Sequence, residues 1–80
     1  MRLPRDISAS ELIKSLKVLG YKETRQVGSH IRLTTMQNGE HHVTIPNHDP
    51  LKIGTFSAIV GDIAVHFNMS KEDIIKLLWK

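Results

Sequence analysis

The sequence has no cysteine, few aromatic residues (two Phe, one Trp and one Tyr) and no long apolar segment. Without cysteine, the chain can form neither a disulfide nor a metal site with thiolate ligands. The aromatic residues are too few to form a platform for stacking nucleic-acid bases. No apolar run approaches the ~20 residues that a membrane-spanning helix needs, and the N-terminal residues lack the pattern of a signal peptide. We therefore expect a soluble, cytoplasmic protein that does not act at a membrane.

The length and the charge narrow the expected partners. With 80 residues, the chain is long enough for one small core, so we expect residues 1–80 to form a single domain. Its net charge is +3, with seven Lys and Arg against three Asp and Glu through Arg32, and four against five in the remainder. A basic half favours a polyanionic partner, either nucleic acid or an acidic protein, although an ordinary solvated surface gives the same count.

The first helix is predicted over residues 9–19, where leucine and isoleucine recur at helical spacing. Ser8 and Glu11 have the spacing of a capping box, in which the serine caps the helix and the glutamate reaches back to it. Gly20 is expected to end the helix in the left-handed conformation.

Two more helices are predicted in the C-terminal third of the chain. Thr55 is the expected N-cap of the second helix, whose apolar stripe continues to Asn68, where the helix is expected to end. Ser70 and Asp73 have the spacing of a second capping box, so a short third helix is expected to begin there and to run through Leu78.

Three strands are predicted between the first and the second helix. Residues 21–27 carry several charges and lack clean alternation, which is typical of an edge strand. Residues 30–35 and 41–45 alternate between apolar and polar side chains on either side of Asn38-Gly39, which predicts a hairpin. The element order is therefore αβββαα. It indicates a small α+β domain in which helices cover one face of a three-stranded antiparallel sheet.

The register of the hairpin follows from its turn. A two-residue turn would place the apolar residues of the two strands on opposite faces. The three-residue turn Gln37-Asn38-Gly39 instead pairs Leu33 with Val43, so that the apolar sets share a face. This register places His30 opposite Pro46, on the face away from the core.

Five histidines suggest metal binding, and His41, His42 and His48 are the closest together. Adjacent residues of a strand point to opposite faces, so His41 and His42 cannot readily chelate one ion, and no HExxH pattern is present. We therefore expect no metal site. His66 is interpreted as a surface histidine favoured by the C-terminal dipole of the second helix.

His30 lies in a different setting from the other histidines. It follows the predicted turn at Gly28-Ser29, it faces away from the core, and Arg25, Arg32 and Lys52 are expected nearby. Cleavage of RNA needs a group that transfers protons and cations that stabilise the charge developing on the phosphate. Histidine can accept or donate a proton near neutral pH. His30 is therefore a candidate catalytic residue, and a simple turn histidine is the alternative.

The sequence contains three short segments in a characteristic order: Gly28-Ser29-His30, then Thr44-Ile45-Pro46-Asn47-His48, then Leu51-Lys52-Ile53-Gly54-Thr55-Phe56. They follow a predicted helix that ends in Gly20-Tyr21. In this order and spacing, the chain resembles the HicA toxin family of bacterial toxin–antitoxin systems over about residues 4–78. Members of that family are mRNA interferases with a fold like that of double-stranded-RNA-binding domains, and HicB antitoxins neutralise them.

The resemblance implies roles for individual residues. His30 matches the family's catalytic histidine, Gly28 and Ser29 form its turn, and His48 matches a position adjacent to the site. Lys52 matches the motif at the start of a helix. The resemblance also implies a HicB-type antitoxin as partner, which we expect to be acidic and to cover the basic face of the sheet together with His30.

The leading hypothesis is therefore an endoribonuclease toxin that cleaves mRNA without a metal or another cofactor. In this hypothesis His30 is the general base or acid, and Arg25, Arg32 and Lys52 contact phosphates of the RNA. One alternative is a non-catalytic RNA-binding module with the same fold. A second alternative is a protein-interaction domain that binds no nucleic acid.

Overall fold

In a computed structural model, which describes residues 6–79, the chain folds into a three-stranded antiparallel sheet with helices packed against one face. The fold is α+β with the order αβββαα, as predicted. Residues 1–5 and 80 of the predicted domain lie outside the described part of the chain. The elements are α1 (Ala9–Leu16), a 3₁₀ turn (Lys17–Leu19), β1 (Lys22–Val27), β2 (His30–Thr35), β3 (His41–Pro46), α2 (Ile53–Phe67) and α3 (Lys71–Leu78).

Helix α1 begins at the predicted cap, and its last predicted turn is a 3₁₀ turn instead of an α-helical one. The Ser8 hydroxyl accepts a hydrogen bond from the N–H of Glu11 at 3.1 Å, which satisfies one of the free donors of the first turn. The α-helical geometry ends at Leu16, and the chain continues as a 3₁₀ turn to Gly20, whose φ is +80°. The predicted segment 9–19 is thus helical throughout, with its last turn in the tighter form common at helix ends.

The sheet has the order β1-β2-β3, and the predicted register of its second hairpin is confirmed. Leu33 pairs with Val43, and His30 pairs with Pro46. Gly39, with φ at +97°, has the left-handed conformation expected for the turn. The buried residues of β2 and β3 share one face, which we call the inner face; they are Ile31, Leu33, Thr35, Val43 and Ile45.

Strand β1 is one of the two edge strands of the sheet and pairs with β2, and all six of its residues are exposed. Its charged side chains agree with the prediction of an edge strand, since charges on an edge discourage pairing with other chains. No residue of β1 is buried, so hydrophobic packing contributes little to the register of this strand.

Helix α2 begins at Ile53, so the prediction that Thr55 is its N-cap is wrong. Lys52 is the N-cap residue, and its carbonyl accepts a hydrogen bond from the N–H of Phe56 at 2.9 Å. Its side chain forms no capping hydrogen bond. The neighbouring Leu51 is buried, and its N–H donates to the carbonyl of Ile7 at 2.8 Å. Packing of the preceding loop, rather than a capping side chain, fixes where this helix starts.

The C-terminal elements follow the sequence pattern. Helix α2 ends at Asn68, as predicted, and Asn68 has the left-handed conformation with φ at 54°. Ser70 caps α3 by accepting a hydrogen bond from the N–H of Asp73 at 3.0 Å. Trp79 packs edge-on against Phe56 with ring centroids 5.7 Å apart, which joins the end of the chain to α2.

One hydrophobic core lies between the inner face and the helices. Thr35 is fully buried within it, and its hydroxyl donates to the carbonyl of Leu19 at 2.7 Å and accepts from the N–H of Gln37 at 3.1 Å. The helices contribute the following buried side chains to the core: Ala9, Leu12, Leu16, Phe56, Ile59, Val60, Ile63, Ala64, Ile74 and Leu78.

Within residues 6–79, no helix is both long and apolar enough to cross a membrane.

Candidate functional site

The face of the sheet opposite the core, which we call the outer face, carries the candidate site. His30 and Arg32 on β2 are exposed there, and Arg32 pairs with Thr44 on β3. Side chains of a strand alternate between its two faces, so these residues lie opposite the buried Ile31 and Leu33. The structure therefore places His30 on the face that the hairpin register predicts.

A β-bulge at Thr24 brings residues of β1 to the outer face. Glu23 pairs with Leu33 and Arg25 with Arg32, so Thr24 is an extra residue without a partner in β2. Glu23 and Arg25 are two positions apart and would share a face in a regular strand. The bulge interrupts this alternation and places Arg25 on the outer face beside Arg32.

Five side chains line a shallow pocket of about 200 Å³ on the outer face: Arg25, Val27, His30, Arg32 and Thr44. The cross-strand pairs Arg25–Arg32 and Val27–His30 provide four of these five residues. Three of the predicted site residues, the histidine and both arginines, therefore lie around one concave surface. No acidic residue is among those lining it in the described part of the chain.

The turn before His30 has the geometry that its glycine permits. Gly28, with φ at +58°, occupies the first position of the two-residue turn between β1 and β2. Glycine is favoured at this position of a tight hairpin because it has no Cβ. The carbonyl of Ser29 accepts a hydrogen bond from the N–H of Asn47 at 2.6 Å, which joins the turn to the loop after β3.

His48 lies in that loop and is held through its backbone. Its N–H donates to the carbonyl of Pro46 at 2.8 Å, and its carbonyl accepts from the N–H of Ala9 at 2.9 Å. The hydrogen bond between Asn47 and Ser29 places this loop beside the Gly28-Ser29 turn. The His48 side chain is exposed and does not line the pocket.

Lys52 is also separate from the pocket. It is exposed at the N-terminus of α2, and it is not one of the residues that line the concave surface around His30. Of the site residues predicted from the sequence, Arg25, His30 and Arg32 thus line one pocket, whereas His48 and Lys52 do not line it.

The electrostatics of the pocket favour an anion. Arg25 and Arg32 are opposed across two strands, and within residues 6–79 neither guanidinium forms an ion pair. Guanidinium groups present several N–H donors in a geometry that matches phosphate oxygens. Together with an exposed imidazole, which can accept or donate a proton, these cations provide the groups needed to cleave a phosphodiester.

A second polar array on the outer face is not evident from the sequence. Its hydrogen bonds connect Glu40 to His42, His42 to Thr34, and Thr34 to Thr24. The hairpin register places His42 opposite Thr34, but the contact to Thr24 depends on the bulge, for which the sequence gives no clear signal.

On the inner side of β3, His41 and Tyr21 form a different contact. The Tyr21 hydroxyl lies 2.7 Å from His41 Nδ1, and His41 Nε2 lies 3.5 Å from Asp62 Oδ1. With the Nε2 proton directed toward Asp62, Nδ1 accepts a hydrogen bond from the tyrosine. Burial raises the pKa of the Tyr21 phenol above its ordinary value, and the negative charge of Asp62 raises that pKa further.

His66 has more contacts than the interpretation as a surface histidine implies. Its ring stacks on His41 with centroids 4.3 Å apart, and its Nε2 lies 2.9 Å from the carbonyl oxygen of Gln37. These contacts join the end of α2 to the turn between β2 and β3. The spacing along α2 could not reveal them because both partners come from a distant segment.

The histidines are distributed over both sides of the sheet. His41 contacts Tyr21 on the inner side and His42 contacts Thr34 on the outer face, as the alternation of strand residues predicts. Within residues 6–79, no three His, Cys, Asp or Glu residues are grouped so that they could hold a metal ion.

Comparison with known proteins identifies a family. The sequence model of a family described as "HicA toxin of bacterial toxin-antitoxin" matches residues 9–65, more than half of the chain. The match includes α1, the three strands, the pocket and most of α2. No curated protein and no solved structure gives a significant match.

Proposed function

The chain belongs to the HicA toxin family of bacterial toxin–antitoxin systems, and we propose that this toxin is an endoribonuclease that cleaves mRNA in the cytoplasm with His30 as its catalytic residue. The observation that carries the proposal is the pocket in which the exposed His30 lies with Arg25 and Arg32. An imidazole beside two guanidiniums that form no ion pair within residues 6–79 suits proton transfer at an anionic substrate.

The proposed reaction transfers a proton at each of two oxygens. The ribose 2′-hydroxyl loses its proton to a base, and its oxygen attacks the adjacent phosphorus. The bond from phosphorus to the 5′-oxygen breaks, so the products are a 2′,3′-cyclic phosphate and a 5′-hydroxyl that has received a proton. The His30 imidazole acts as the base at the first oxygen or as the acid at the second. Water or His48 carries out the other transfer.

The arginines have an electrostatic role in this reaction. Negative charge on the non-bridging oxygens of the phosphate increases as the 2′-oxygen attacks, and Arg25 and Arg32 stabilise it with N–H donors that are already in place. Lys52, exposed at the start of α2, contacts a phosphate outside the pocket. No step in this scheme requires a metal ion or another cofactor.

A toxin of this family has a cognate antitoxin. We propose that the antitoxin is an acidic, HicB-type protein that covers the outer face and His30. Binding between an acidic surface and Arg25 and Arg32 is partly electrostatic, so the complex weakens as the salt concentration rises. A structure of the complex that leaves His30 exposed would contradict direct occlusion.

The proposed activity is tested with purified protein, RNA and DNA of the same sequence, with and without a metal chelator. We expect RNA fragments with cyclic-phosphate and 5′-hydroxyl ends, the same rate with the chelator, and intact DNA because DNA lacks the 2′-hydroxyl. If His48 performs the second proton transfer, His48→Gln lowers the rate; if water does, this variant cleaves like the parent.

Two results would overturn the proposal. One is intact RNA at any excess of protein, and the other is a His30→Ala variant that cleaves as fast as the parent. Salt-dependent RNA binding without cleavage would identify a non-catalytic RNA-binding module instead.

A further inference from the structure

The outer face carries a chain of four hydrogen-bonded side chains, which we call the polar chain: Thr24, Thr34, His42 and Glu40. Thr24 Oγ1 lies 3.0 Å from Thr34 Oγ1, and Thr34 Oγ1 lies 2.7 Å from His42 Nδ1. His42 Nε2 lies 2.8 Å from Glu40 Oε2. The polar chain thus runs across all three strands, from the bulge in β1 to the residue that precedes β3.

When His42 carries its proton on Nε2 alone, one arrangement of protons satisfies the three contacts of the polar chain. The Glu40 carboxylate can only accept, so it holds the proton of His42 on Nε2 and leaves Nδ1 as an acceptor. Nδ1 then accepts from the Thr34 hydroxyl, whose oxygen accepts from the Thr24 hydroxyl. Each hydrogen bond sets whether the next group donates or accepts, so Glu40 and His42 fix the orientation of the Thr34 and Thr24 hydroxyls.

Thr24 is the extra residue of the β-bulge, which determines the face on which Arg25 lies. Strand β1 has no buried side chain that could fix its register, and two guanidiniums directly opposite each other repel. Arg25 is therefore held beside Arg32 against an unfavourable charge interaction. Among residues 6–79, the Thr24 hydroxyl contacts Thr34 Oγ1 at 3.0 Å and the carbonyl of Arg32 at 3.4 Å, and it shares its single proton between these two acceptors.

We propose that the polar chain positions Arg25 in the pocket around His30. Glu40, His42 and Thr34 stabilise the bulge at Thr24, and the bulge keeps Arg25 on the same face of the sheet as His30. This proposal rests on the proposed RNA-cleaving function. His42 itself does not transfer protons with His30. It lies four residues along β3 from Pro46, the partner of His30, which is a separation of about 13 Å.

The test is a double-mutant cycle on RNA affinity, measured in a His30→Ala background so that the RNA stays intact. Thr24→Val keeps the shape of the side chain and removes its hydroxyl. We expect it to weaken binding about tenfold, as Arg25→Ala does, because each variant loses one charge-assisted phosphate contact. The combined variant is expected to bind no more weakly than Arg25→Ala alone. Thr24→Ser, which retains the hydroxyl, is expected to bind like the parent.

His42→Ala extends the cycle to a residue that does not touch Thr24. If His42 acts through the polar chain, its effect on affinity disappears in the Arg25→Ala background. If His42 contacts RNA directly, the two effects multiply, which would contradict the positioning role of this residue.

An NMR measurement without RNA separates this proposal from the proposed function. The backbone contact between Arg25 and Arg32 is expected in the parent and in Thr24→Ser, and is expected to be lost in an otherwise folded Thr24→Val. Retention of this contact in Thr24→Val with unchanged RNA affinity would overturn the proposal. If the parent shows the backbone contact between Arg25 and Arg32 but binds no RNA, the proposed function alone is overturned.

Discussion

Arg25 and Arg32 are direct cross-strand partners on the outer face of the sheet, and both line the pocket around His30. Two like charges at this separation raise the free energy of the folded protein unless an anion lies between them. Within the described residues, no carboxylate forms an ion pair with either arginine. The pair therefore has the properties of a binding site for an external phosphate or carboxylate.

The first prediction concerns the salt dependence of RNA binding. Replacing either arginine with alanine removes one phosphate contact, so the slope of log affinity against log salt concentration should become shallower by about 0.7 for single-stranded RNA. The measurement is a salt titration of RNA affinity in a His30→Ala background.

Lys76→Ala is the matched control, because Lys76 is an exposed cation on α3 that pairs with Glu72 at 3.4 Å. Its slope should stay at the parent value. An arginine variant with the same slope as this control would show that the pocket does not contact phosphate.

The second prediction concerns alkaline pH and Tyr21. Burial and Asp62 raise the pKa of this phenol in the folded protein. The folded state then keeps its proton at a pH where the unfolded state has lost it, so the free energy of unfolding should fall as pH rises above about 10. Below that pH, this contribution to stability is fully present.

Tyr21 is the single tyrosine of the chain, so the absorbance of phenolate reports on this residue directly. In the folded protein the phenolate signal should appear only well above the pH at which a free tyrosine ionises. In Tyr21→Phe, the alkaline loss of stability should be smaller than in the parent, as measured by urea unfolding. Ionisation of Tyr21 at the ordinary pH in folded protein would contradict the prediction.

The third prediction concerns the buried hydroxyl of Thr35. Thr35→Val keeps the shape of the side chain but leaves the carbonyl of Leu19 and the N–H of Gln37 without this partner. The loss should lower the free energy of unfolding by about 1–3 kcal/mol, measured by urea denaturation. Thr44→Val, at an exposed position of β3, should change it by less than about 0.5 kcal/mol. Equal effects of the two substitutions would show that the buried hydroxyl contributes no specific stability.

Much of the fold follows from local sequence signals. The caps at Ser8 and Ser70 and the ends of α1 at Gly20 and of α2 at Asn68 depend on short segments, so the sequence predicts them correctly. The pairing of β2 with β3 is also predictable, because one register alone places both apolar sets on the same face.

Other features depend on contacts between distant segments. The start of α2 is set by the packing of Leu51 against the segment before α1, and Thr55, though a suitable capping residue, lies inside the helix. His66 stacks on His41, which is distant in sequence, so its local helical position suggested only exposure.

In the candidate site, too, some positions follow from the local sequence pattern and others depend on contacts between strands. The outward position of His30 and its neighbour Arg32 follows from alternation along β2, which the sequence shows clearly. The position of Arg25 depends on the bulge at Thr24, and β1 has no apolar alternation from which a bulge could be recognised. The sequence therefore identifies Arg25 by its charge but does not show the contact that places it on this face.

The proposed role of His30 in a ribonuclease toxin is tested by inducing the parent and His30→Ala in bacterial cells and following mRNA integrity over time. His30 is exposed, so the alanine variant should fold and accumulate like the parent, which its circular dichroism and abundance will show. If His30 is the catalytic residue, we expect rapid loss of full-length mRNA and growth arrest with the parent, and intact mRNA with normal growth with His30→Ala. Equal loss of mRNA with both proteins, or intact mRNA with both, would contradict this role.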